Sequence, residues 1–347
     1  MQALVLHGPG EFSVEEVPPP TPGPGQVLCR VRALSICGTD AHLIRGDYPG
    51  FWPPAYPFIP GHEWAGEVVE LGPDCESLGW AVGDRVAGTS HDACGLCRRC
   101  IEGRYNLCEN YGKPGLHRQY GHTTQGACAE LVVHGVKAVF HLPPELSFYE
   151  GALLDPASIA LHTANRGKVR PGDTVVVMGP GPMGLLAADA ARARGAGRVI
   201  VVGRGERLAK AAALGHETID YRDDDPVKAV RAAAGESGPD VVLDCAGVPD
   251  SLRWGITMVR KGGRCVVVGI PVADVALCLQ ELVLFEKELL GCRATAGEMA
   301  EVIPLVADGR IRVRELHTHT FPLAEFGEAL RTFNERVDGA LKVVVEP

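Results

Sequence analysis

The chain has 347 residues, 46% hydrophobic and 22% charged, which excludes a disordered polymer and leaves room for two globular domains. A formal net charge of −9 with no basic stripe or tail argues against nucleic-acid and anionic-membrane partners. No apolar run reaches the length of a membrane span, and residues 1–6 end at His7-Gly8-Pro9 with no cationic leader. They read as a first strand and turn, so the expected compartment is the cytoplasm.

Residues 27–31, 64–71, 85–87 and 129–133 read as short strands among Gly- and Pro-rich turns. Between the first two, Cys37-Gly38-Thr39-Asp40 and Gly61-His62-Glu63 supply a thiolate, an imidazole and carboxylates. These are the ligand types of a catalytic zinc that keeps one position open. Residues 49–60 mix Pro with Phe51, Trp52, Tyr56 and Phe58, either roofing a substrate pocket or forming a packed surface loop. Cys94, Cys97, Cys100 and Cys108 follow with the spacing C-x2-C-x2-C-x7-C. Four thiolates in so short a stretch can enclose a structural zinc. The competing iron–sulfur run places Pro after its fourth Cys, whereas Cys108 is followed by Glu109. Residues 117–124 are polar and histidine-rich and are expected to border the site without a metal role.

The character changes after Pro171. Residues 174–178, 198–202, 240–245 and 264–269 read as apolar strands, with helices at 187–194 and 206–214. That alternation indicates a parallel sheet covered on both faces. The first of these strands runs into Gly179-Pro180-Gly181-Pro182-Met183-Gly184, and a helix is expected next. In that context a pyrophosphate can approach bare backbone at a helix N-terminus. The next strand should end in Asp or Glu if the cofactor is NAD; here Gly203 stands there, followed by Arg204 and Arg207. A carboxylate about 4 Å from a ribose phosphate costs about 4 kcal/mol per charge pair at an effective dielectric of about 20. Guanidinium groups pair well with phosphate. NADP is therefore expected over NAD, an incidental surface turn being the alternative. An apolar run in 276–290 is expected to form an edge strand and helix at a subunit interface, hence a homodimer or homotetramer. Strand-like residues 315–321 and 341–345 suggest a return to the first domain near 291. The expected domains are 1–150 with 291–347, and 151–290.

The order Cys-Gly-Thr-Asp at 37–40, Gly-His-Glu at 61–63, four-cysteine lobe and glycine-rich loop resembles the zinc-containing medium-chain dehydrogenases. These include sorbitol, threonine and other polyol or secondary-alcohol dehydrogenases. The resemblance implies an α/β chain with a GroES-like, mostly β catalytic domain and a Rossmann domain built on a doubly wound parallel sheet. It also implies two zinc ions per chain. The implied reaction is hydride transfer between a secondary alcohol or polyol, or the matching ketone, and a nicotinamide cofactor. An NAD-dependent polyol or amino-alcohol dehydrogenase is the nearest alternative.

By the same resemblance, Cys37 and His62 match catalytic zinc ligands and Asp155 a further ligand position. Glu63 matches a carboxylate that binds the metal or sits just behind it, and which of the two acids ligates stays open. Asp40 matches a carboxylate that orients the His62 ring. Thr39 and His42 match a proton relay to solvent, a task that suits an imidazole. Gly269, Ile270, Cys292 and Arg293 match positions near the nicotinamide or its ribose. A zinc-free quinone or enoyl reductase lacks this ligand set, and a zinc-ribbon nucleic-acid module conflicts with the acidic balance. The particular alcohol is not specified by these residues.

Overall fold

The computed structural model describes residues 1–271 and 274–347, and these divide into two compact units. Met1–Asp155, Met299–Ile303 and Val313–Pro347 form the first; Pro156–Glu298 and Pro304–Arg312 form the second. Residues 292–298 and 304–312 thus stay with the second unit, beyond residue 291. Side chains explain this. Glu298 accepts hydrogen bonds there from Asn165 and Thr295, and Arg312 donates to Asp189 and to the Leu214 carbonyl.

The first unit is built on a seven-stranded sheet. Its spatial order is His317–Pro322, Lys342–Glu346, Gln26–Ser35, Glu63–Leu71, Arg85–Gly88 and Val139–His141, with Leu131–Gly135 also paired to Gln26–Ser35. Along Gln26–Ser35, exposed Arg30 and Arg32 alternate with buried Val31 and Ala33, since successive strand side chains face opposite ways. Leu34, Trp64, Val86 and Val343 meet in one buried cluster. Trp52 and Phe58 join it, while Phe51 stays exposed. The aromatic stretch 49–60 is therefore largely packed.

The second unit carries a six-stranded, wholly parallel sheet in the order Glu217–Asp220, Arg198–Gly203, Thr174–Met178, Val241–Asp244, Arg264–Val267 and Glu288–Gly291. This is the doubly wound order of a dinucleotide-binding fold. Val175, Val176, Val177, Val241, Val242 and Leu243 are fully buried, as central strands covered on both faces must be. The helix after the glycine loop spans Pro182–Ala193, starting earlier than the Ala-rich stretch suggests. Pro182 at its first turn lacks only an N–H that would have no helical partner. At the other end, Leu279–Leu284 forms a helix and Glu288–Gly291 an edge strand, with Leu279, Val283 and Leu284 exposed. Among the described residues no helix is long and apolar enough to cross a membrane.

Candidate metal and cofactor sites

Antiparallel pairing of Ser35 with Glu63 brings the end of one strand beside the start of the next. Cys37 caps the helix Gly38–Arg45 that follows the first strand, and its N–H donates to Asp40 Oδ2 at 2.9 Å. Ligand atoms of Cys37, His62 and Glu63 all lie within 4.8 Å of one another. His62 and Glu63 are buried. His62 Nδ1 stands 3.3 Å from Asp40 Oδ1, leaving Nε2 for a ligand. Burial pushes the His62 imidazole down, but Asp40 and Cys37 outweigh it and hold it well above its ordinary range. Burial raises the Asp40 carboxyl, and His62 outweighs this and keeps it low. Glu63 Oε2 accepts from Lys342 Nζ at 2.5 Å, and Lys342 is itself buried.

Asp155, in the first turn of the helix Leu154–Arg166, is also buried. Burial pushes its carboxyl up to about 7, with Glu63 adding to the rise and His62, a Ser90 backbone hydrogen bond and Lys342 opposing it. It sits within electrostatic reach of the other three but outside their compact group. A tetrahedral zinc with bonds of about 2.0–2.3 Å needs ligand separations of about 3.3–3.8 Å. The bound of 4.8 Å on the separations of these three donors is compatible with that. Thr39 Oγ1 lies 3.8 Å from Cys37 Sγ. One turn on, half-buried His42 places Nδ1 2.7 Å from Asp47 Oδ2 and 2.9 Å from Arg45 Nη2.

The four-cysteine lobe is compact. Sulfur separations are 3.8 Å for Cys94–Cys100, 3.5 Å for Cys97–Cys100, 3.9 Å for Cys97–Cys108 and 3.5 Å for Cys94–Cys108. A zinc tetrahedron with bonds of about 2.3 Å has edges of about 3.8 Å, so these sulfurs already stand at its corners. None of the four is in a disulfide. Asn110 Nδ2 and the N–H groups of Leu96 and Cys97 each donate to Cys94 Sγ at 3.4 Å. Those donors hold that thiol down at about 6.

In the second unit, the strand Thr174–Met178 runs into Gly179 and Gly181 caps the helix Pro182–Ala193, whose first three residues are Pro182, Met183 and Gly184. A Cβ on Gly184 would fall 1.8 Å from the Gly179 carbonyl oxygen, so helix and loop pack as only glycine permits. Gly203 ends the adjacent strand, and a Cβ there would fall 2.3 Å from Pro180 Cδ. Arg207 Nη1 lies 3.7 Å from where a Gly181 Cβ would stand. The Arg204 guanidinium sits over the Tyr221 ring, 5.7 Å from its centroid. The acid nearest in register to Gly203 is Asp220, and Arg222 occupies it at 2.6 Å. Gly269 and exposed Ile270 follow the strand Arg264–Val267, and Cys292 Sγ lies 3.4 Å from Thr163 Oγ1 beside half-buried Arg293.

Residues 23–144 match the alcohol dehydrogenase GroES-like domain family, and residues 182–308 match the zinc-binding dehydrogenase family. A sorbitol dehydrogenase of Bacillus subtilis (strain 168) is 33% identical over 350 residues, covering 100% of this chain and 97% of the relative. The chain belongs to the zinc-dependent medium-chain alcohol and polyol dehydrogenases. An erythritol/L-threitol dehydrogenase of Mycolicibacterium smegmatis is 34% identical over 343 residues, covering 95% of this chain and 93% of that protein. Among solved structures, a zinc-binding dehydrogenase from Sinorhizobium meliloti 1021 bound to NADP matches with a TM-score of 0.90 at 32% identity, covering 100% of this chain and 99% of that one. The fold is the GroES-like and Rossmann-like α/β combination of that family, and the protein is an alcohol or polyol oxidoreductase.

Two features of this dehydrogenase's site are hard to foresee in the sequence. Lys342 is the one cation in the strand Lys342–Glu346, next to three buried valines; a cation at the start of so apolar a run is its one signal. His122 lies with its ring 4.5 Å from that of His62, and only the histidine-rich character of 117–124 hinted at it.

Proposed function

We propose that Cys37, His62 and Glu63, with Asp155 as a further carboxylate, hold a catalytic zinc, and that Cys94, Cys97, Cys100 and Cys108 hold a structural one. The carrying observation is the convergence of a thiolate, an imidazole and a carboxylate within 4.8 Å, from residues separated along the chain. Zinc bound there would supply Lewis acidity that acidifies a secondary alcohol or polyol hydroxyl, or polarises the matching ketone. Asp40 holds the His62 ring by its Nδ1 side, as a carboxylate behind a metal-binding imidazole does. Thr39 and half-buried His42 lead from the Cys37 sulfur toward solvent, which suits them to carry the hydroxyl proton outward. Lys342 balances the Glu63 charge in a buried setting.

The catalytic domain expected at 1–150 with 291–347 and the nucleotide domain expected at 151–290 correspond to the two compact units, with 151–155 falling in the first and 291–298 and 304–312 in the second. NADP is the proposed cofactor, with Gly179, Gly181, Pro182, Met183 and Gly184 against the pyrophosphate and Arg204 and Arg207 near the extra phosphate. The lack of an acid at Gly203 and the approach of Arg207 to the glycine loop support it, as does the neighbour bound to NADP. Gly269, Ile270, Cys292 and Arg293 are the proposed nicotinamide side. Exposed Leu279, Val283 and Leu284 beside the edge strand support a homodimer or homotetramer, and twelve cysteines free of disulfides suit the cytoplasm.

A cofactor-absorbance screen of polyols and simple secondary alcohols, run with NADP and NAD, tests this function. Turnover of at least one such alcohol, lost in Cys37→Ser, is expected. An NAD preference of about tenfold or more in kcat/KM would refute the cofactor assignment.

A further inference from the structure

We infer that His122 is a positioning residue for the metal site, holding the His62 ring in place, and that Trp52, Tyr111 and Gln119 tie this support to the four-cysteine lobe. The inference rests on the metal reading of Cys37, His62 and Glu63. Residues 126–128 are zipped to the segment just before His62. The N–H of Gly126 donates to Ile59 O at 2.7 Å, that of Ala127 to Gly61 O at 2.9 Å, and that of Cys128 to Pro60 O at 2.9 Å. A Cβ on Gly121 would fall 2.4 Å from the Gly61 carbonyl oxygen, and one on Gly126 2.3 Å from it. The loop can dock this closely only with glycine at both positions.

So docked, the loop seats the buried His122 imidazole with its ring centroid 4.5 Å from that of His62. His122 Nδ1 donates to the Tyr120 carbonyl at 3.1 Å, which fixes the tautomer and the ring rotation. Trp52 packs edge-on against the same ring, 4.6 Å away at 70°. Its indole N–H donates to the Tyr111 hydroxyl at 2.7 Å, and that hydroxyl donates to Gln119 Oε1 at 2.5 Å. Tyr111 adjoins Asn110, whose side-chain amide donates to Cys94 Sγ. Interiors are packed like crystals, so one ring in such a row cannot turn without its neighbours. The direction of the His62 Nε2 lone pair is thereby set by residues that do not themselves bind metal.

The test follows metal release to a chelator from the full-length, metal-loaded protein, with Cys37→Ser identifying the phase that belongs to the Cys37–His62 site. His122→Ala is expected to speed that phase about tenfold, the lower end for supports of metal ligands, with the four-cysteine phase unchanged. Tyr111→Phe keeps the ring, breaks both links, and is expected to speed the same phase by a smaller factor. With cobalt(II) in place of zinc, the visible bands of the site are expected to shift in His122→Phe, which fills the space but loses the Tyr120 anchor. That variant decides the matter where His122→Ala does not fold: wild-type bands and a wild-type release rate in it overturn the inference. If Cys37→Ser removes no metal at all, the metal reading itself falls. That result is distinct from a metal that is present but indifferent to residue 122.

Discussion

The two clusters of candidate metal ligands solve one electrostatic problem with different materials. In the four-cysteine lobe the sulfurs stand 3.5–3.9 Å apart. Their charge is met by backbone N–H groups and an amide from the same short stretch of chain. At Cys37, His62 and Glu63 the donors lie within 4.8 Å of one another, and charge is met by other side chains, Asp40 for His62 and Lys342 for Glu63. The local cluster is nearly complete by itself. The dispersed one exists only because two strands pair and a C-terminal strand returns beside them. A site that must admit substrate leaves part of the metal's surroundings to groups drawn from afar, whereas a closed site does not need to.

Breaking the dispersed cluster should have the largest effect. Cys37→Ser is expected to lower kcat by at least about 10³-fold, since a Lewis acid supplies several kcal/mol at the reacting oxygen. Steady-state kinetics and elemental analysis check this, with the loss of one zinc per chain. Next, Arg204→Ala with Arg207→Ala tests a region with no metal at all. It is expected to raise the KM for NADP about 100-fold and leave that for NAD nearly unchanged, because each charged contact to phosphate contributes about 1.5–3 kcal/mol. In the local cluster, Cys97→Ser is expected to release one zinc and lower the Tm by about 10 °C, read by calorimetry.

The smallest effect sharpens the contrast between two buried carboxylates whose surroundings move them in opposite directions. Burial would raise Glu298, but the His162 contact, the Ala296 N–H and Asn165 hold it at about 2, whereas burial drives Asp155 up to about 7. A folded value below the ordinary value of about 4.3 means stabilisation that is complete above that pH and is lost as pH falls toward about 2. Glu298→Gln is therefore expected to flatten the decline in Tm between about pH 5 and about pH 2 by a few degrees. Thermal melts across that range check it; an unchanged decline would show that the contacts hold no net proton linkage.

Much of this molecule was legible residue by residue. Thr174–Met178 was readable to its ends because an apolar run bounded by Asp173 and Gly179 allows no other strand. The four cysteines announced their cluster by spacing alone. The cluster at residue 37 needed a family resemblance, because nothing local says that residues 37 and 62 meet; strand register does that. The start of the helix at Pro182 was missed because alanine content marks a helix interior better than its first turn. Lys342 was illegible because its partner, Glu63, is 279 residues away, and pairings between distant strands leave no local period to read.

The contact between Gly203 and Pro180 has a consequence for how this protein could change. A side chain of any kind at 203 would overlap a rigid pyrrolidine ring, so no single substitution installs an acid at the end of that strand without loss elsewhere. The loop proline must go first, or simultaneously, and Gly203→Asp should be tolerated far better on a Pro180→Ala background than alone. The order of mutational steps between cofactor types is thus constrained by sterics in the loop, before charge has any say.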